Sequence, residues 1–272
     1  METNGEIVSK NNCKIDGAKI GLKAEYGATR IRLDKTSFQD CETGVKLGEE
    51  DGSGLIRNWI SRCSIVSGVF EGRVPTPDFL TTKYGIAAYD IGSLNVWPKN
   101  YFEKNETAVL SENNYNNLSE NTLENCQFGI DIDNSVSKNY SYINKTIIKN
   151  EFCGSIFNCK RPAISILGGE VSITNNDIRA TTGLDLSAVS GVESFPPEKH
   201  IYNNIFRGCE KRALALKSSN NISVSLSNDL WSNSKEVFFG DTRDINVFDN
   251  EFYLENVRII FSRYSNFQIT FL

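Results

Sequence analysis

A short phrase recurs along this chain: an asparagine, then any residue, then a large apolar residue. From residue 121 onward, successive copies begin 22 to 29 residues apart. Self-similarity at such a period indicates a solenoid, in which each repeat is one structural unit stacked on its neighbours. The copies are Asn58-Trp59-Ile60, Asn121-Thr122-Leu123, Asn150-Glu151-Phe152, Asn176-Asp177-Ile178, Asn204-Ile205-Phe206, Asn228-Asp229-Leu230 and Asn250-Glu251-Phe252, with Thr36-Ser37-Phe38 as a threonine variant.

The residues between these phrases predict strands. A few residues after each phrase, a glycine or other small residue opens an alternation of apolar and variable positions, as in Gly129-Ile130-Asp131-Ile132. A period of two is typical of a strand and not of a helix. Two or three short strands per repeat are not stable alone, so each coil must pair in parallel with the next, about 4.8 Å away. The asparagine suits a left-handed turn residue, and stacked amides can hydrogen-bond from coil to coil.

These repeats resemble those of the right-handed parallel β-helix superfamily, which has the pectate-lyase-like fold, and the resemblance covers nearly the whole chain. We therefore predict an all-β fold, a right-handed single-stranded parallel β-helix (solenoid) of about 9–10 coils. A single domain is expected over residues 1–272. Three stretches interrupt the repeat and predict loop insertions, near 68–84, 92–120 and 187–200.

Composition excludes several classes of function. The net charge of −5 is unsuited to binding nucleic acid, which needs a basic surface. No apolar run is long enough for membrane insertion. Seven scattered cysteines and one histidine favour neither a disulfide framework nor a zinc site. Cys41, Cys63, Cys126 and Cys209 each follow the apolar anchor of a repeat by three residues, which predicts buried core positions.

Both ends of the sequence read as repeat strands, since Glu6-Ile7-Val8 already alternates and the last residues, 267–272, alternate too. Bare parallel edges invite association, so we expect further chain segments or subunits to cover the ends of the solenoid. The expected localisation depends on whether the chain is a segment of a longer protein. A segment of a longer protein would be extracellular or on the cell surface, whereas a complete chain with free cysteines would be cytoplasmic.

Outward positions of the repeated strand predict one acidic column. It contains Asp131 and Asp185 together with Lys46, and Asp133 and Lys217 fall in the adjoining column. Asp131 and Asp133 would lie about 7 Å apart and Asp131 and Asp185 about 9.5 Å apart, near the spacing of an inverting glycosidase pair. We take Asp131, Asp133 and Asp185 as candidate catalytic carboxylates and Lys217 as a candidate base. The alternative is that they are ordinary surface residues.

The resemblance also implies that Ca²⁺ is possible at such a carboxylate cluster, as in polysaccharide lyases of this fold; otherwise no cofactor and no metal are expected. Several enzyme signatures are absent from the sequence. They are the Gly-His-Gly and Arg-Ile-Lys phrases of polygalacturonase-like hydrolases and the Asp-Pro-His of alginate epimerases. A family mechanism therefore cannot be carried over to these residues.

Candidate substrate-binding residues lie mostly in the expected insertions. Trp97, Tyr101 and Phe102 suit stacking on a sugar ring, or alternatively fasten the second loop to the solenoid. His200 ends the third loop and is either a base overhanging the aspartates or a plain loop histidine. Lys46 lies in the acidic column and is a further binding candidate.

Two functions fit these features. The first is a β-helix module of a surface, secreted or phage-derived protein that presents a face for binding a polysaccharide, another glycan or a protein. The second is an enzyme, a polysaccharide lyase or glycoside hydrolase acting in a groove lined by Asp131, Asp133 and Asp185. Fold alone does not choose between them, because one fold hosts many activities.

Overall fold

The structure, a computed structural model, describes residues 5–10, 12–24, 28–48, 62–72, 83–135, 145–149, 155–191, 200–202, 204–207, 209, 211–225, 230–231, 236–248 and 258–270. Within these ranges the regular structure consists of 25 β-strands joined in parallel ladders. Over the first half of the chain, each strand pairs with those three places before and after it. One coil of the solenoid therefore comprises three strands.

Strands related by this three-strand step stack into three sheets along the solenoid. The first sheet contains β1 (Gly5–Ser9), β4 (Ala28–Asp34), β7 (Arg62–Val66), β10 (Ser93–Val96), β13 (Tyr115–Leu118), β16 (Lys145–Lys149), β19 (Ile201–Tyr202) and β22 (Asn220–Ser225). The second contains β2 (Lys14–Asp16), β5 (Ser37–Gln39), β8 (Val69–Glu71), β11 (Tyr101–Glu103), β14 (Thr122–Glu124), β20 (Ile205–Arg207) and β23 (Leu230–Trp231). The third contains β3 (Ile20–Ala24), β6 (Thr43–Leu47), β9 (Tyr84–Tyr89), β12 (Thr107–Glu112), β15 (Phe128–Asp133) and β21 (Arg212–Lys217).

Four long strands bend from one sheet into the next. They are β17 (Ser155–Thr174), β18 (Asp177–Gly191), β24 (Glu236–Phe248) and β25 (Arg258–Thr270). β17, for example, pairs with β14 in the second sheet, β15 in the third and β16 in the first. These strands continue the same three-sided winding, so the pairing of coils persists to residue 270.

Inward side chains of the second sheet form a ladder of aromatic rings. Phe38, Phe70 and Phe102 stack with centroid separations of 5.1 and 4.6 Å, and each is at most 2% exposed. This ring ladder explains why a small residue opens the third-sheet strand. A Cβ atom added to Gly44 would lie 2.9 Å from Cδ1 of Phe70 and 2.6 Å from the carbonyl oxygen of Gly85.

Side-chain amides bond from coil to coil at the turn before the second sheet, as the repeat predicts. Nδ2 of Asn176 donates to Oδ1 of Asn204 over 2.8 Å. Nδ2 of Asn100 donates in the same way to Oδ1 of Asn121. All four asparagines are at most 4% exposed. Because a buried amide without a partner costs free energy, this ladder specifies how each coil sits on the next.

The prediction of a loop insertion near 92–120 is wrong, because this stretch forms β10, β11, β12 and β13 in register with neighbouring coils. Several of its polar residues are buried. Asn114 donates through Nδ2 to Oγ of Ser111 (2.7 Å), which donates to Oδ1 of Asn116 (2.6 Å), and all three are buried. A satisfied polar network replaces apolar core residues in these coils, and it hides the hydrophobic alternation.

The other two expected insertions fall partly outside the described residues. Of 68–84, residues 69–71 form β8 and residue 84 begins β9, while 73–82 lie outside. Of 187–200, the first residues continue β18 and 192–199 lie outside. The repeat phrases that begin at Asn58, Asn150, Asn228 and Asn250 also lie wholly or partly outside the described ranges.

Candidate functional site

The third sheet brings the predicted carboxylates onto one face. Residue pairs in register run from Lys46 through Ala87, Leu110, Asp131, Ser165, Asp185 and Ala215 to Phe238. The adjoining column contains Asp133, Leu167, Ser187 and Lys217. The predicted placement of Asp131, Asp133 and Asp185 is therefore confirmed, and their catalytic role stays a prediction.

Asp131 and Asp133 differ in their surroundings. Burial raises the pKa of the Asp131 carboxyl above its ordinary value; a hydrogen bond from Ser165 lowers it in part, and the charge of Asp133 raises it again. Oδ1 of Asp133 accepts hydrogen bonds from the backbone N of Ser135 (2.8 Å) and from its Oγ (2.5 Å). Two carboxyls on one strand thus occupy different environments, as an acid and a base require.

The basic residues of this face have partners already. Nζ of Lys217 lies 2.7 Å from Oδ1 of Asp185, in the next coil along the sheet. Nζ of Lys46 lies over the ring of Tyr89, 5.7 Å from its centroid. Lys46 is three coils from Asp131, about 14 Å by strand spacing. Lys217 is therefore positioned as the partner of Asp185, and Lys46 is remote from the carboxylates.

The carboxylates of the third sheet do not form a metal-binding arrangement. Among the described residues, no three His, Cys, Asp or Glu side chains are grouped so that they could hold a metal ion. Asp185 is paired with Lys217, and Asp133 is held by Ser135. Calcium binding at these carboxylates therefore stays a prediction.

The predicted aromatic trio is divided among different surfaces. Phe102 is 0% exposed in the core ladder, so the prediction that it binds substrate is wrong. Tyr101 points outward from the second sheet, and its hydroxyl donates to Oε2 of Glu124 over 3.1 Å. Trp97 follows β10 of the first sheet and is 49% exposed. Of the three, only Trp97 is largely exposed.

His200 lies before β19 of the first sheet, away from the aspartates. It is 3% exposed, and its Nδ1 accepts a hydrogen bond from the backbone N of Ser223 over 3.1 Å. Its carbonyl oxygen accepts from the backbone N of Ile173 over 2.7 Å. The prediction that His200 overhangs the acidic column is therefore wrong, because the residue is buried beside the first sheet, directly before β19.

A groove of about 680 Å³ lies on the outer side of the first sheet, at coils one to five. Arg32, Ser64, Asn95 and Asn117 are successive partners in register and form its polar column. Trp97 lines the groove beside them, and Nε1 of its indole donates to Oε1 of Glu120 over 3.0 Å. We call this surface the first-sheet groove. Its described lining residues also include Glu6, Arg30 and Val66.

A family model described as the right-handed β-helix region matches residues 1–161 of this chain. The match covers more than half of the 272 residues. The chain belongs to the right-handed β-helix family. The predicted fold, a right-handed parallel solenoid, is confirmed by this match together with the parallel ladders. No curated protein and no solved structure matches the chain significantly.

The first-sheet groove of this β-helix was not predicted from the sequence, because the predicted carboxylates all lie on the third sheet. The alternation that turns the groove's polar side chains outward is nevertheless present in the sequence. Arg30-Ile31-Arg32-Leu33 and Ser93-Leu94-Asn95-Val96 alternate polar and apolar residues, which sends the polar ones outward from a strand. What the alternation does not give is register between coils of unequal length. The described residues contain no helix with the length and apolar character needed to cross a bilayer.

Proposed function

We propose that this β-helix is a carbohydrate-binding module and that the first-sheet groove is its binding site. The observation that carries the proposal is the exposed indole of Trp97 beside a stacked polar column in one groove. A flat aromatic face suits the apolar face of a pyranose ring, and polar side chains beside it suit the hydroxyls.

The geometry of Trp97 supports this use. Its bond to Glu120 engages the Nε1 edge of the ring, and the residue is 49% exposed where it lines the groove. A fixed ring loses little conformational entropy when a ligand stacks on it. Asn95 and Asn117 lie in consecutive coils, about 4.8 Å apart, so a glycan that follows the solenoid axis meets a polar group at every coil.

The test is glycan-array screening of the whole protein, followed by calorimetric titration of the best-bound oligosaccharide. We expect Trp97→Ala to weaken binding about tenfold, the equivalent of the order of 1 kcal/mol that a stacked ring contributes. Trp97→Phe keeps a ring and is the matched control, with most of the affinity retained. Absence of binding to every glycan on the array, or equal affinity of the Ala variant, contradicts the proposal.

A second candidate function is glycoside hydrolysis at Asp131 and Asp133. The observation in its favour is the raised pKa of Asp131, whose partly buried carboxyl lies two residues from Asp133 on one strand, an environment that favours the protonated form of Asp131. In such a pair Asp131 would protonate the leaving oxygen and Asp133 would activate water. Their separation of about 7 Å on one strand is near that of inverting enzymes.

This candidate is tested by incubating the protein with neutral and uronate-containing polysaccharides, with and without calcium, and measuring reducing ends and unsaturated products. Asp131→Asn is expected to abolish turnover, whereas Asp185→Asn removes a carboxylate paired with Lys217 and leaves the acid and base in place. No turnover on any substrate, with binding intact, rules out the enzyme and leaves the binding module.

A further inference from the structure

We infer that His200 is an acid-sensitive latch of the first sheet: its neutral imidazole joins neighbouring coils, and protonation at about pH 5 to 6 lets them separate. His200 is the one histidine of the chain. It lies directly before β19, beyond the coils that form the first-sheet groove. Its action therefore does not depend on what that groove binds.

His200 bonds to the coil before it and to the coil after it. Its carbonyl oxygen accepts a hydrogen bond from the backbone N of Ile173 on β17 over 2.7 Å. Its Nδ1 atom accepts one from the backbone N of Ser223 on β22 over 3.1 Å. β17 and β22 are the strands that flank β19 in the sheet. Because β19 is two residues long, the bond at Nδ1 supplies much of the connection between β19 and β22.

The bond at Nδ1 fixes the protonation state of the ring. A ring nitrogen that accepts a hydrogen bond carries no proton, so His200 is neutral in the folded protein and its proton is on Nε2. The nitrogen that acid protonates is then Nδ1, which the N–H of Ser223 already occupies. Protonation turns this acceptor into a donor that faces another donor, and the buried N–H of Ser223 loses its partner.

The surroundings of the ring oppose a positive charge. His200 is 3% exposed, and the residues beside it on the flanking strands, Ser172 and Ser223, are 3% and 4% exposed. A site so little hydrated disfavours the imidazolium form relative to water. The opened chain carries no such penalty, so acid favours the state in which His200 has left its site.

Among the described residues of the flanking strands, one charged side chain lies on the same side as His200. It is the half-buried Glu170 of β17, two residues from Ser172 and paired in register with Lys145 of β16. β22 contains no titratable residue, and Tyr202 of β19 itself is a phenol, which stays neutral in acid. The carboxylate attracts an imidazolium, but it does not replace the acceptor that the backbone of β22 loses.

The link is complete in neutral solution and is lost in acid. A histidine in an open chain takes up a proton near pH 6.5, whereas the folded site excludes it while Nδ1 accepts from Ser223. The stability of this part of the solenoid therefore falls as pH drops below about 6.5. At pH 5 the opened state gains a factor of about thirty, because an ordinary histidine is then about thirty times more often protonated than neutral.

The experiment is amide hydrogen exchange of the whole protein at pH 7.5 and pH 5.0, measured by mass spectrometry and divided by the intrinsic rates. We expect the corrected exchange of peptides that contain Ser223 to quicken about thirtyfold at pH 5.0. Peptides of β9, Tyr84–Tyr89, are the internal control and should stay within about twofold.

Two variants separate His200 from other titrating groups. His200→Gln keeps a side-chain acceptor that does not titrate, so β22 should exchange at the same corrected rate at both pH values. Asp131→Asn is the matched control, because it removes a different partly buried titratable group, and it should keep the acid response of β22.

Nitrogen-15 spectra of the imidazole give a readout that needs no substitution, since the chain has one histidine. We expect the ring proton on Nε2 at pH 7.5, and this test holds even where His200→Gln does not fold. A proton on Nδ1 at pH 7.5, unchanged exchange of β22 at pH 5.0, or the same acceleration in His200→Gln overturns the latch. Equal acceleration of β9 and β22 overturns it too, because acid then loosens the whole solenoid.

Discussion

Nδ2 of Asn100 donates a hydrogen bond to Oδ1 of Asn121 in the next coil, with 2.9 Å between the two atoms. The same amide nitrogen reaches the carbonyl oxygen of Ile65 at 3.1 Å, and Oδ1 of Asn100 accepts from the backbone N of Gly68 at 2.8 Å. One side chain therefore joins three coils, and all of its bonds are buried.

Replacing this asparagine should destabilise the solenoid. Asn100→Ala removes the acceptor of the backbone N–H of Gly68 and the donor to Oδ1 of Asn121. Each buried hydrogen bond lost in this way costs about 1–3 kcal/mol. We expect the free energy of unfolding, measured by urea denaturation, to fall by about 3 kcal/mol. Asn117→Ala is the control: this side chain is half-exposed, and among the described residues it bonds only to Ser119, so its loss should cost about 1 kcal/mol at most. Similar losses in both variants would contradict a structural role for the ladder.

The repeat makes most of the fold predictable, because the coil-to-coil asparagines and apolar anchors recur in sequence. Its failure at 92–120 has a specific cause. Asn100-Tyr101-Phe102 is itself a copy of the phrase, but the polar residues around it, among them Asn114 and Asn116, read as a loop. In the folded chain they satisfy one another inside the core. Sequence alternation cannot distinguish a buried polar network from a solvated loop.

The ring ladder gives a second stability prediction. Phe102 is fully buried and stacks on Phe70 with 4.6 Å between centroids, so Phe102→Ala removes a large side chain from a closed core. We expect a loss of about 3–5 kcal/mol in the free energy of unfolding. Its neighbour Tyr101 points outward, and Tyr101→Phe removes only the bond to Glu124, so a change within about 1 kcal/mol is expected. Equal effects by urea denaturation would show that the two residues are not on opposite sides of the strand.

The raised pKa of Asp131 makes stability depend on pH. Burial disfavours the ionised carboxyl in the folded state, so its contribution is fully present below the unfolded pKa and is lost as pH rises through the higher folded pKa. Asn imitates the protonated form. Asp131→Asn is therefore expected to melt at a higher temperature than the wild type at pH 7, and the difference should shrink as pH falls below the unfolded value.

Asp185→Asn is the control for this prediction. Asp185 is paired with Lys217, with 2.7 Å between Oδ1 and Nζ, so its loss should lower the melting temperature slightly at pH 7. A pH-independent difference between Asp131→Asn and the wild type would mean that the carboxyl has the same pKa in both states. The acid assigned to Asp131 in the hydrolase candidate would then lose its physical basis.

The candidate site was harder to predict than the fold. Alternation correctly put Asp131, Asp133 and Asp185 on one face, because a glycine or other small residue opens each of these third-sheet strands and marks its register. The groove joins strands separated by coils of unequal length, so its column from Arg32 to Asn117 follows only from the observed register. His200 shows the opposite error, since a residue next to prolines reads as a loop and is in fact buried.

The cysteines give the last prediction. Cys63 and Cys126 are buried, and burial raises the pKa of Cys63 to about 12 and that of Cys126 to about 11. At pH 8 about one in a thousand Cys126 thiols is ionised, and reagents reach neither sulfur in the folded protein. Cys13 is exposed. Iodoacetamide at pH 8, followed by mass spectrometry of the peptides, should therefore label Cys13 at least a hundredfold faster than Cys63 or Cys126 in the native protein and all three at similar rates in urea. Cys13→Ser should abolish the fast labelling of that peptide and leave the labelling of the other two unchanged. Rapid labelling of Cys63 in the native protein would contradict this prediction. It would show that the coils separate on the timescale of the reaction and that the ladders do not hold them closed.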